Sequence, residues 1–340
     1  MPGTRPALTD DQLTRLLAPP TGPVEVVIDT DVTNEVDDQF AIAWALLRPE
    51  RLTVRALHAC PYALGPHVLT DPGFVTEPEK VQLADVAVRA AGIPVVSAAE
   101  GVERAADECR ILLALAGRTD IPVVDGSCSF LPDVRTPVAS DSVDSLIALA
   151  HEDREGPLYV LAIGCATNVA SALLVDPSIA ERVVVVWTSG YPSFWPYRNT
   201  SFNLAQDIAS ARVLLDSGVP HVYLPGYYVG EQLRISSAEL DAHVRGRGPL
   251  GDHLADVCAA SSWFDRPGSS KVIWDLVNVA WALEPSWLPS GLVATPVLDE
   301  QLVWRQQPGR HLMREAHSVQ RDAIWLDLYA ALDEHAAATR

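Results

Sequence analysis

A run of β-branched residues at Val24–Ile28 (VEVVI) is followed directly by an acidic segment at Asp29–Gln39 (DTDVTNEVDDQ). Apolar runs of this kind are typical of buried parallel strands, whose ends meet polar residues. Five carboxylates fall within ten residues of this segment: Asp29, Asp31, Glu35, Asp37 and Asp38. Because ligands in open α/β sheets bind at the carboxyl ends of the strands, the acidic segment lies where such a fold has its site.

The alternation of strands and helices continues along the chain. The residue pattern predicts strands at 24–28, 52–59, 95–96, 123–124, 158–163, 182–187 and 221–224. It predicts helices at 10–17, 40–47, 81–91, 101–116, 142–152, 168–174 and 208–216. This order predicts an α/β fold, with a mainly parallel central sheet flanked by helices. Residues 231–290 are predicted to form a helical cap, residues 1–20 an N-terminal arm, and residues 21–340 a single domain.

The composition is that of an acidic globular protein. The 340 residues include 44 Asp and Glu against 25 Lys and Arg, which gives a formal net charge of −19, and the only lysines are Lys80 and Lys271. Nucleic acids and anionic lipids are bound through basic residues, so this balance argues against either partner. The longest uncharged stretch, residues 156–175, is too polar and too interrupted to span a membrane.

The cysteines and the first residues bear on the compartment. Five cysteines are scattered along the chain without a CxxC pair, which argues against a zinc ribbon. In a chain of this length we expect them to be reduced thiols. Residues 1–20 contain no apolar run of the kind found in secretory signals. These features predict a cytoplasmic protein.

The acidic segment has two interpretations. Close carboxylates repel each other and raise each other's pKa unless a cation neutralises them, and oxygen-only ligands favour calcium or magnesium. The simpler interpretation is a solvated loop in which Asp37 and Asp38 cap the next helix. The position of the segment after a buried strand favours a metal or catalytic site.

Asp29–Thr33 resembles the start of the haloacid-dehalogenase type of phosphotransferase, which has the pattern Asp-x-Asp-x-Thr/Val. This resemblance implies a magnesium-dependent phosphohydrolase in which Asp29 forms an aspartyl-phosphate and Asp31 is the acid/base. Such enzymes also need a later lysine and a late acidic pair beside magnesium; Lys271 and Asp275 are the candidates here.

From about residue 24 to residue 332, the chain resembles the inosine/uridine-preferring nucleoside hydrolase family. Four ordered segments carry the resemblance after the acidic segment: Ile163–Asn168, Val183–Gly190, Ser201–Asp207 and Trp274–Asp275. In Asp29–Gln39, Asn34 and Glu35 belong to a loop two residues longer than the usual one, which indicates a divergent branch. The fold implied is nucleoside hydrolase-like, with a Rossmann-like core.

The resemblance implies hydrolysis of the N-glycosidic bond of a ribonucleoside or a related ribosyl compound. One calcium ion per chain would be held by four ligands: the carboxylates of Asp31, Asp38 and Asp275 and the backbone carbonyl of Ile163. Asp29 would support this shell, and Asp31 would be the general base for the calcium-bound water. Asp37 and Asn203 would bind ribose hydroxyls. The partners implied are a small nucleoside-like substrate and other copies of the chain in a dimer or tetramer.

Two positions depart from the family pattern, and the asparagine of the family loop after the second strand is not evident in His58–Tyr62. Trp274 replaces the histidine before the late aspartate, and Ser201 replaces a glutamate that contacts the 5′ hydroxyl. These changes leave open a non-catalytic homologue that binds a ribosyl ligand. The further candidates for substrate contacts are Asn34, Glu35, Trp195, Tyr197, Arg198 and Trp274.

Overall fold

The central sheet determines where every other element lies. The computed structural model describes residues 8–64, 95–199, 201–261 and 268–339. The strands are β1 Val24–Thr30, β2 Leu52–Ala59, β3 Val123–Asp125, β4 Leu158–Ala162, β5 Val183–Ser189, β6 His221–Pro225, β7 Arg234–Ser236, β8 Ser270–Val272, β9 Ser290–Ala294, β10 Val297–Leu298, β11 Trp304–Arg305 and β12 Leu312–Ala316. Eight of them form one sheet in the order β3-β2-β1-β4-β5-β6-β12-β9.

Seven strands of this sheet run parallel, and only the edge strand β9 is antiparallel to its neighbour β12. The α-helices are α1 Asp10–Leu16, α2 Asp37–Leu46, α3 Ala98–Leu115, α4 Asp141–His151, α5 Thr167–Val175, α6 Phe202–Gln206, α7 Ile208–Asp216, α8 Ser237–His243, α9 Gly248–Ala260, α10 Leu276–Leu283 and α11 Arg321–Ala338. The predicted mainly parallel sheet flanked by helices is therefore confirmed.

The two faces of the sheet bury separate apolar cores. In β1, Val26 and Ile28 belong to one core and Val27 belongs to the other. In β5, Val184 and Val186 likewise alternate with their neighbours between the two cores. Because successive side chains of a strand point to opposite faces, a strand buried on both faces is apolar at every position. This explains the uninterrupted valine run that begins at residue 183.

Several boundaries differ from the sequence prediction for local reasons. Helix α3 begins earlier than predicted because the Ser97 hydroxyl caps it by accepting from the Glu100 backbone N–H. Helix α2 begins at Asp37, so the last two acids of the acidic segment lie in its first turn. Val96 forms only an isolated bridge with Leu64. The predicted strand at 95–96 is therefore wrong, because its backbone pairs with a loop and not with the sheet.

The predicted cap region is mainly helical, with α8, α9 and α10 within residues 231–290. It also contains an antiparallel ribbon, β7 with β8, that the sequence did not indicate. Every residue of α10 is buried, and Trp281 is fully enclosed. Helix α10 therefore belongs to the core of the sheet domain.

The described part of the predicted N-terminal arm packs on the core. Leu13 and Leu17, at and just beyond α1, are 1% and 0% exposed, and the guanidinium of Arg314 in β12 donates to the Leu17 carbonyl at 2.6 Å. The division into a 1–20 arm and a 21–340 domain stays a prediction. The predicted helix at 81–91 lies outside the described residues. No helix in the described ranges is long and apolar enough to cross a membrane.

Asn278 in α10 connects the helix to the ends of two central strands. Its side-chain nitrogen donates to the carbonyls of Ala162 at 3.1 Å and Val186 at 2.9 Å, and its side-chain oxygen accepts from the Thr188 hydroxyl. Asn278 is 0% exposed, so these groups have no access to solvent to replace the bonds. One amide thus satisfies three buried polar groups.

We expect Asn278→Leu, which keeps the approximate volume, to lower the free energy of unfolding by about 3 kcal/mol, since each buried polar group left without a partner costs about 1–3 kcal/mol. Urea unfolding followed by circular dichroism measures the change. Leu283→Met on the same helix is the control and should cost less than about 1.5 kcal/mol. A loss for Asn278→Leu no larger than for Leu283→Met would contradict this account.

Candidate active site at the carboxyl edge of the sheet

A pocket opens where β1, β4, β5 and β6 end. The residues that line it are Asp31, Asn34, Glu35, Asp37, Asp38, Ile163, Thr188, Ser189, Gly190, Ser201, Phe202, Asn203, Gly226, Tyr227, Trp274 and Asp275. The segments that follow these strands supply most of the lining, as expected for a parallel α/β sheet. The predicted convergence of the acidic segment with residues 163, 203 and 275 is present in the structure.

Three carboxylates form the floor of this pocket. Ligand atoms of Asp37, Asp38 and Asp275 all lie within 4.8 Å of one another, and the three residues are at most 4% exposed. Asp31 is 1% exposed and lies close enough to Asp37 and Asp38 for their charges to raise its pKa. The cluster therefore combines four carboxylates from two parts of the chain that are far apart in sequence, residues 31–38 and residue 275.

The loop from Asp31 to Val36 is folded tightly by local hydrogen bonds. The Thr30 hydroxyl donates to Asp38 Oδ1 at 2.5 Å and accepts from the Val32 backbone N–H at 3.1 Å. Thr33 has a φ of 84°, a strained value for a β-branched residue, and its hydroxyl is 2.7 Å from the Tyr62 hydroxyl. These contacts fold the loop back so that Asp31 and Asp38 face the same space.

Gly164 explains how Asp31 comes so close to the end of β4. A Cβ atom at this position would lie 2.4 Å from Cys60 Sγ and 3.0 Å from Asp31 Cγ. A side chain at residue 164 would therefore force Cys60 to move and would crowd Asp31. The glycine after Ile163 thus allows Cys60 and Asp31 to approach the end of β4 closely.

Asp29 lies beneath the pocket and does not line it. It is 1% exposed, and its Oδ1 accepts from the Asn168 side chain at 2.8 Å. Asn168 also accepts from the Ser127 backbone N–H at 2.9 Å, so it joins the ends of three neighbouring segments. Because Asp29 does not line the pocket, the structure gives no support to the phosphotransferase interpretation, which needs Asp29 as the nucleophile.

Burial and mutual repulsion raise the pKa of these acids. Burial raises the pKa of Asp29 to about 7. Burial and then the charge of Asp37 raise the pKa of Asp38, and burial followed by Asp37, Asp38 and Asp31 raises that of Asp275. Carboxylates that would be protonated without a counter-charge are suited to bind a cation.

The donor set fits a hard divalent cation. Oδ1 of Asp37 is buried and has no hydrogen-bond donor, although Lys271 Nζ lies 3.8 Å away. The neighbouring ligand atoms are the carboxylate oxygens of Asp38 and Asp275, and Ile163 also lines the pocket. All-oxygen sites of this kind favour calcium or magnesium.

Asn203 lies at the back of the pocket. Its side-chain nitrogen donates to the carbonyl of Ile163 at 2.9 Å and to that of Thr188 at 3.3 Å. Its side-chain oxygen is the atom with which it could accept from a ligand hydroxyl. Asp207, four residues later, is structural, since it accepts from the Thr167 hydroxyl at 2.6 Å and the Leu131 backbone at 3.0 Å.

Aromatic rings form one wall. Tyr227 and Trp274 line the pocket, with ring centroids 5.5 Å apart in an edge-to-face arrangement. Tyr191 stacks on the far side of Tyr227 at 4.1 Å, and Trp195 stacks on Tyr191 at 4.8 Å. Tyr197 contacts Trp195 edge-on and is 66% exposed. The wall extends from the pocket to the surface.

Some predicted substrate contacts lie outside this lining. Asn34, Glu35 and Trp274 are in the pocket, whereas Trp195, Tyr197 and Arg198 are not among the residues that line it. The backbone of Arg198 forms an isolated antiparallel β-bridge with Val303. Trp195 is separated from the pocket by Tyr191, a residue that the sequence pattern did not indicate.

Lining residues at the ends of β5 and β6 and at the start of α6 were missed. They are Thr188, Ser189, Gly190, Phe202 and Gly226. Gly190 has a φ of 58°, and a Cβ there would lie 2.2 Å from Asn199 Oδ1. The signal that could have found them is positional, since they follow strands whose carboxyl ends meet at one edge.

A buried lysine, Lys271, fixes the position of Glu35 at the rim of the pocket. Lys271 Nζ donates to Glu35 Oε2 at 2.5 Å and to the Val272 carbonyl at 2.7 Å, and the side chain of Lys271 is 3% exposed. Burial alone would lower the pKa of Lys271, but Asp37 and Glu35 raise it overall. The lysine that the phosphotransferase interpretation required is therefore engaged by Glu35 and Asp37.

Comparison with known proteins identifies the family of this site. The family model described as inosine-uridine preferring nucleoside hydrolase matches residues 81–325. The chain belongs to this family. The match confirms the resemblance noted in the sequence and places the chain among hydrolases that act on N-glycosyl compounds. The acidic segment at residues 29–38 lies before the matched range.

Two relatives and two solved structures illustrate the similarity. An uncharacterised protein of Schizosaccharomyces pombe is 26% identical over 220 residues, which cover 53% of this chain and 67% of that protein. A probable uridine nucleosidase 2 of Oryza sativa subsp. japonica is 23% identical over 218 residues, which cover 56% of this chain and 64% of that protein. The matches thus span about two thirds of the length of these relatives.

The solved structures share the fold over nearly their whole length. A plant nucleoside hydrolase has a TM-score of 0.64 and 19% identity, with 93% of this chain and 99% of that chain covered. A purine-preferring ribonucleoside hydrolase from Gardnerella vaginalis has a TM-score of 0.66 and 18% identity, with 92% and 99% covered. The nucleoside hydrolase fold is therefore shown for this chain.

The raised pKa values give an expected pH dependence of stability. Without metal, the native carboxyls, including Asp29 at about 7, hold protons that the unfolded chain has released above pH 4. Stability should therefore fall as pH rises from 5.5 to 8 in chelator, because the native state binds more protons. Calcium should reverse the trend, since it binds the ionised carboxylates, and should add about 2.7 kcal/mol at a hundredfold excess over its Kd.

Thermal unfolding at pH 5.5 and pH 8, with EGTA or calcium, measures this effect. Asp38→Asn should lose most of the calcium stabilisation, while Asp144→Asn, an exposed acid on α4, should keep it. Equal calcium stabilisation in Asp38→Asn and the wild type would show that the ion binds elsewhere. A melting temperature that rises with pH in EGTA would contradict the assigned direction of the pKa shifts.

Proposed function

We propose that this chain hydrolyses the N-glycosidic bond of a ribonucleoside or a related N-ribosyl compound. The observation that carries the proposal is the buried cluster of Asp37, Asp38 and Asp275 at the floor of a pocket with an aromatic wall. The floor suits a sugar diol and a cation, and the wall suits a flat heterocycle. Membership in the family supports the same reaction class.

The residues that would hold calcium are Asp31, Asp38, Asp275 and the backbone carbonyl of Ile163, with Asp29 as a support below them. Asp37 lies within the same cluster and can contact either the ion or a ribose hydroxyl. A bound divalent cation would supply a lowered pKa for an attacking water and a fixed orientation for the sugar hydroxyls.

The side chains of the chain supply the remaining steps. Asp31 accepts the proton of the attacking water, and Asn34, which donates to Asp31 Oδ2 at 3.2 Å, holds that carboxylate in place. The carboxylates around C1′ stabilise the positive charge that develops on the ribosyl group as the bond to the base breaks. Asp37 and the side-chain oxygen of Asn203 bind ribose hydroxyls, and Trp274 and Tyr227 contact the base.

The 5′ end of the sugar would lie near hydroxyl groups. Ser201, which replaces the family glutamate, is 2.7 Å from Ser189 through their hydroxyl oxygens, and both residues line the pocket. This pair can donate to and accept from a 5′ hydroxyl without a charge. A dimer or tetramer and a cytoplasmic location remain predictions for the whole protein.

A nucleoside panel assayed for reducing sugar tests the proposal. We expect ribose release that depends on calcium, and we expect Asp31→Ala to lower kcat/KM by about 10²–10⁴, the usual contribution of a general base. Asp144→Asn is the control and should retain wild-type kinetics. If folded, calcium-bound wild type releases no sugar from any nucleoside but binds ribose, the protein is a binding homologue and the hydrolase proposal is wrong.

The configuration of the released sugar tests the mechanism. Direct attack by one water should invert C1′, because no covalent ribosyl-enzyme intermediate intervenes. Proton NMR of the first ribose formed, recorded before mutarotation, should therefore show the α anomer from a β nucleoside. Initial release of the β anomer would rule out direct attack.

A further inference from the structure

The loop between β1 and α2 contains a turn with an unusual third residue. The Asn34 backbone N–H donates to the Asp31 carbonyl at 3.0 Å, which closes a turn from Asp31 to Asn34. Thr33 is the third residue of this turn and has a φ of 84°. Turns with a positive φ at this position usually have glycine there, because a β-branched side chain is strained in the left-handed region. A strained residue of this kind persists where the surrounding structure holds it in place.

The phenol of Tyr62 supplies a contact that holds Thr33. Its oxygen lies 2.7 Å from the Thr33 hydroxyl, a favourable distance for a hydrogen bond between two hydroxyl groups. Tyr62 is 0% exposed and is not among the residues that line the pocket. Tyr62 can therefore act on the pocket only through the turn that it contacts.

Tyr62 is itself fixed by two neighbouring helices. The backbone N–H of the next residue, Ala63, donates to Gln206 Oε1 in α6 at 2.7 Å. Gly101 in α3 packs directly against Tyr62, since a Cβ atom at Gly101 would lie 3.0 Å from Tyr62 Cδ1 and would clash with the Tyr62 carbonyl oxygen. A side chain locked by such packing is a rigid support for a neighbouring functional group.

The turn sets the direction of the acid that begins it. Asn34 donates from its backbone to the Asp31 carbonyl and from its side chain to Asp31 Oδ2 at 3.2 Å. Asp31 is thus held at two points by the residue that follows Thr33. The other end of the loop has a separate anchor, where Lys271 donates to Glu35 at 2.5 Å. A change at Thr33 therefore acts first on Asp31.

We propose that Tyr62 is a positioning residue for the cation site. Its phenol holds Thr33 in the left-handed conformation, and the turn then directs the Asp31 carboxylate toward the acidic floor of the pocket. A carboxylate that is already in position needs no reordering when an ion binds, which increases the affinity for the ion. The inference rests on the cation site of the proposed function and deepens it, because it names a residue outside the pocket that sets calcium affinity.

Calcium titration of the full chain tests the inference. Isothermal titration calorimetry with calcium chloride, after metal has been removed with EGTA, gives a Kd without any nucleoside. We expect Tyr62→Phe to raise this Kd about tenfold, near the upper end of what one hydrogen bond contributes. Tyr329→Phe on α11 is the matched control, since its hydroxyl is buried and has no hydrogen-bond partner among the described residues. It should keep the Kd within about twofold.

Glycine at residue 33 separates positioning from packing. Thr33→Gly removes the hydroxyl but adopts the positive φ without strain. In the Thr33→Gly background, Tyr62→Phe should change the calcium Kd by less than about twofold, because the turn no longer depends on the phenol. If the Tyr62 hydroxyl only supported the surrounding structure, Tyr62→Phe would weaken calcium binding by the same factor in both backgrounds. Equal factors would therefore overturn the inference.

Two further variants change the contact from the side of the threonine. Thr33→Ser keeps the hydroxyl and should keep the calcium Kd within about threefold, whereas Thr33→Val keeps the shape without the hydroxyl and should raise it about tenfold. Equal Kd values for Thr33→Ser and Thr33→Val would contradict the assigned role of the hydroxyl. Urea unfolding in EGTA shows whether each variant folds, and Thr33→Val carries the test if Tyr62→Phe does not.

The outcomes distinguish the inference from the proposed function. An unchanged calcium Kd in Tyr62→Phe and Thr33→Val, with calcium-dependent ribose release by the wild type, would overturn the inference and leave the proposed hydrolase in place. Calcium binding by the wild type without release of any sugar would overturn the proposed function, while a raised Kd in Tyr62→Phe would still support the inference. Absence of calcium binding by the folded wild type would overturn both.

Discussion

Repulsion among the buried carboxylates of Asp31, Asp37, Asp38 and Asp275 is the constraint around which the rest of the pocket is arranged. Burial raises the pKa of Asp31, Asp38 and Asp275, and the charge of Asp37 raises each of these pKa values further. The Thr30 hydroxyl satisfies one oxygen of Asp38, but it brings no charge. An internal ammonium or a bound cation would offset the charges themselves, and Lys271 Nζ, 3.8 Å from Asp37 Oδ1, is an ammonium in this position.

The sheet and the acidic floor were predictable from local sequence. The apolar run of β1 determines a strand buried on both faces, and the carboxylates that follow it must then lie at the carboxyl edge. Residues 163 and 203 follow neighbouring strands of the same parallel sheet, so topology brings them to the same edge. The pattern of the strands therefore predicted where the floor of the site lies, whereas residues 163, 203 and 275 were singled out by the family resemblance.

The rim of the pocket depends on contacts between residues far apart in the sequence, which the local residue pattern does not predict. Glu35 and Lys271 are 236 positions apart, and Lys271 lies in the ribbon of β7 and β8 within a region that was predicted to be helical. Tyr191 was missed because its place depends on two distant donors, the Tyr223 hydroxyl at 2.7 Å and the Trp304 indole at 3.1 Å, both to its carbonyl. These bonds set Tyr191 between Tyr227 and Trp195, which explains why the predicted Trp195 does not reach the pocket.

At Ile163 the backbone and the side chain have separate places: the carbonyl accepts from a pocket residue, and the side chain belongs to the core. The side chain of Ile163 is 1% exposed in the core, while its carbonyl meets the pocket and accepts from Asn203 at 2.9 Å. A carbonyl oxygen has two lone pairs, so one can accept from Asn203 while the other faces a cation. Asn203 would then orient a metal ligand with its nitrogen and a sugar hydroxyl with its oxygen. If the proposed ligand is this backbone oxygen, residue 163 is constrained by core packing and by the glycine that follows it, and its side chain is free of any chemical role.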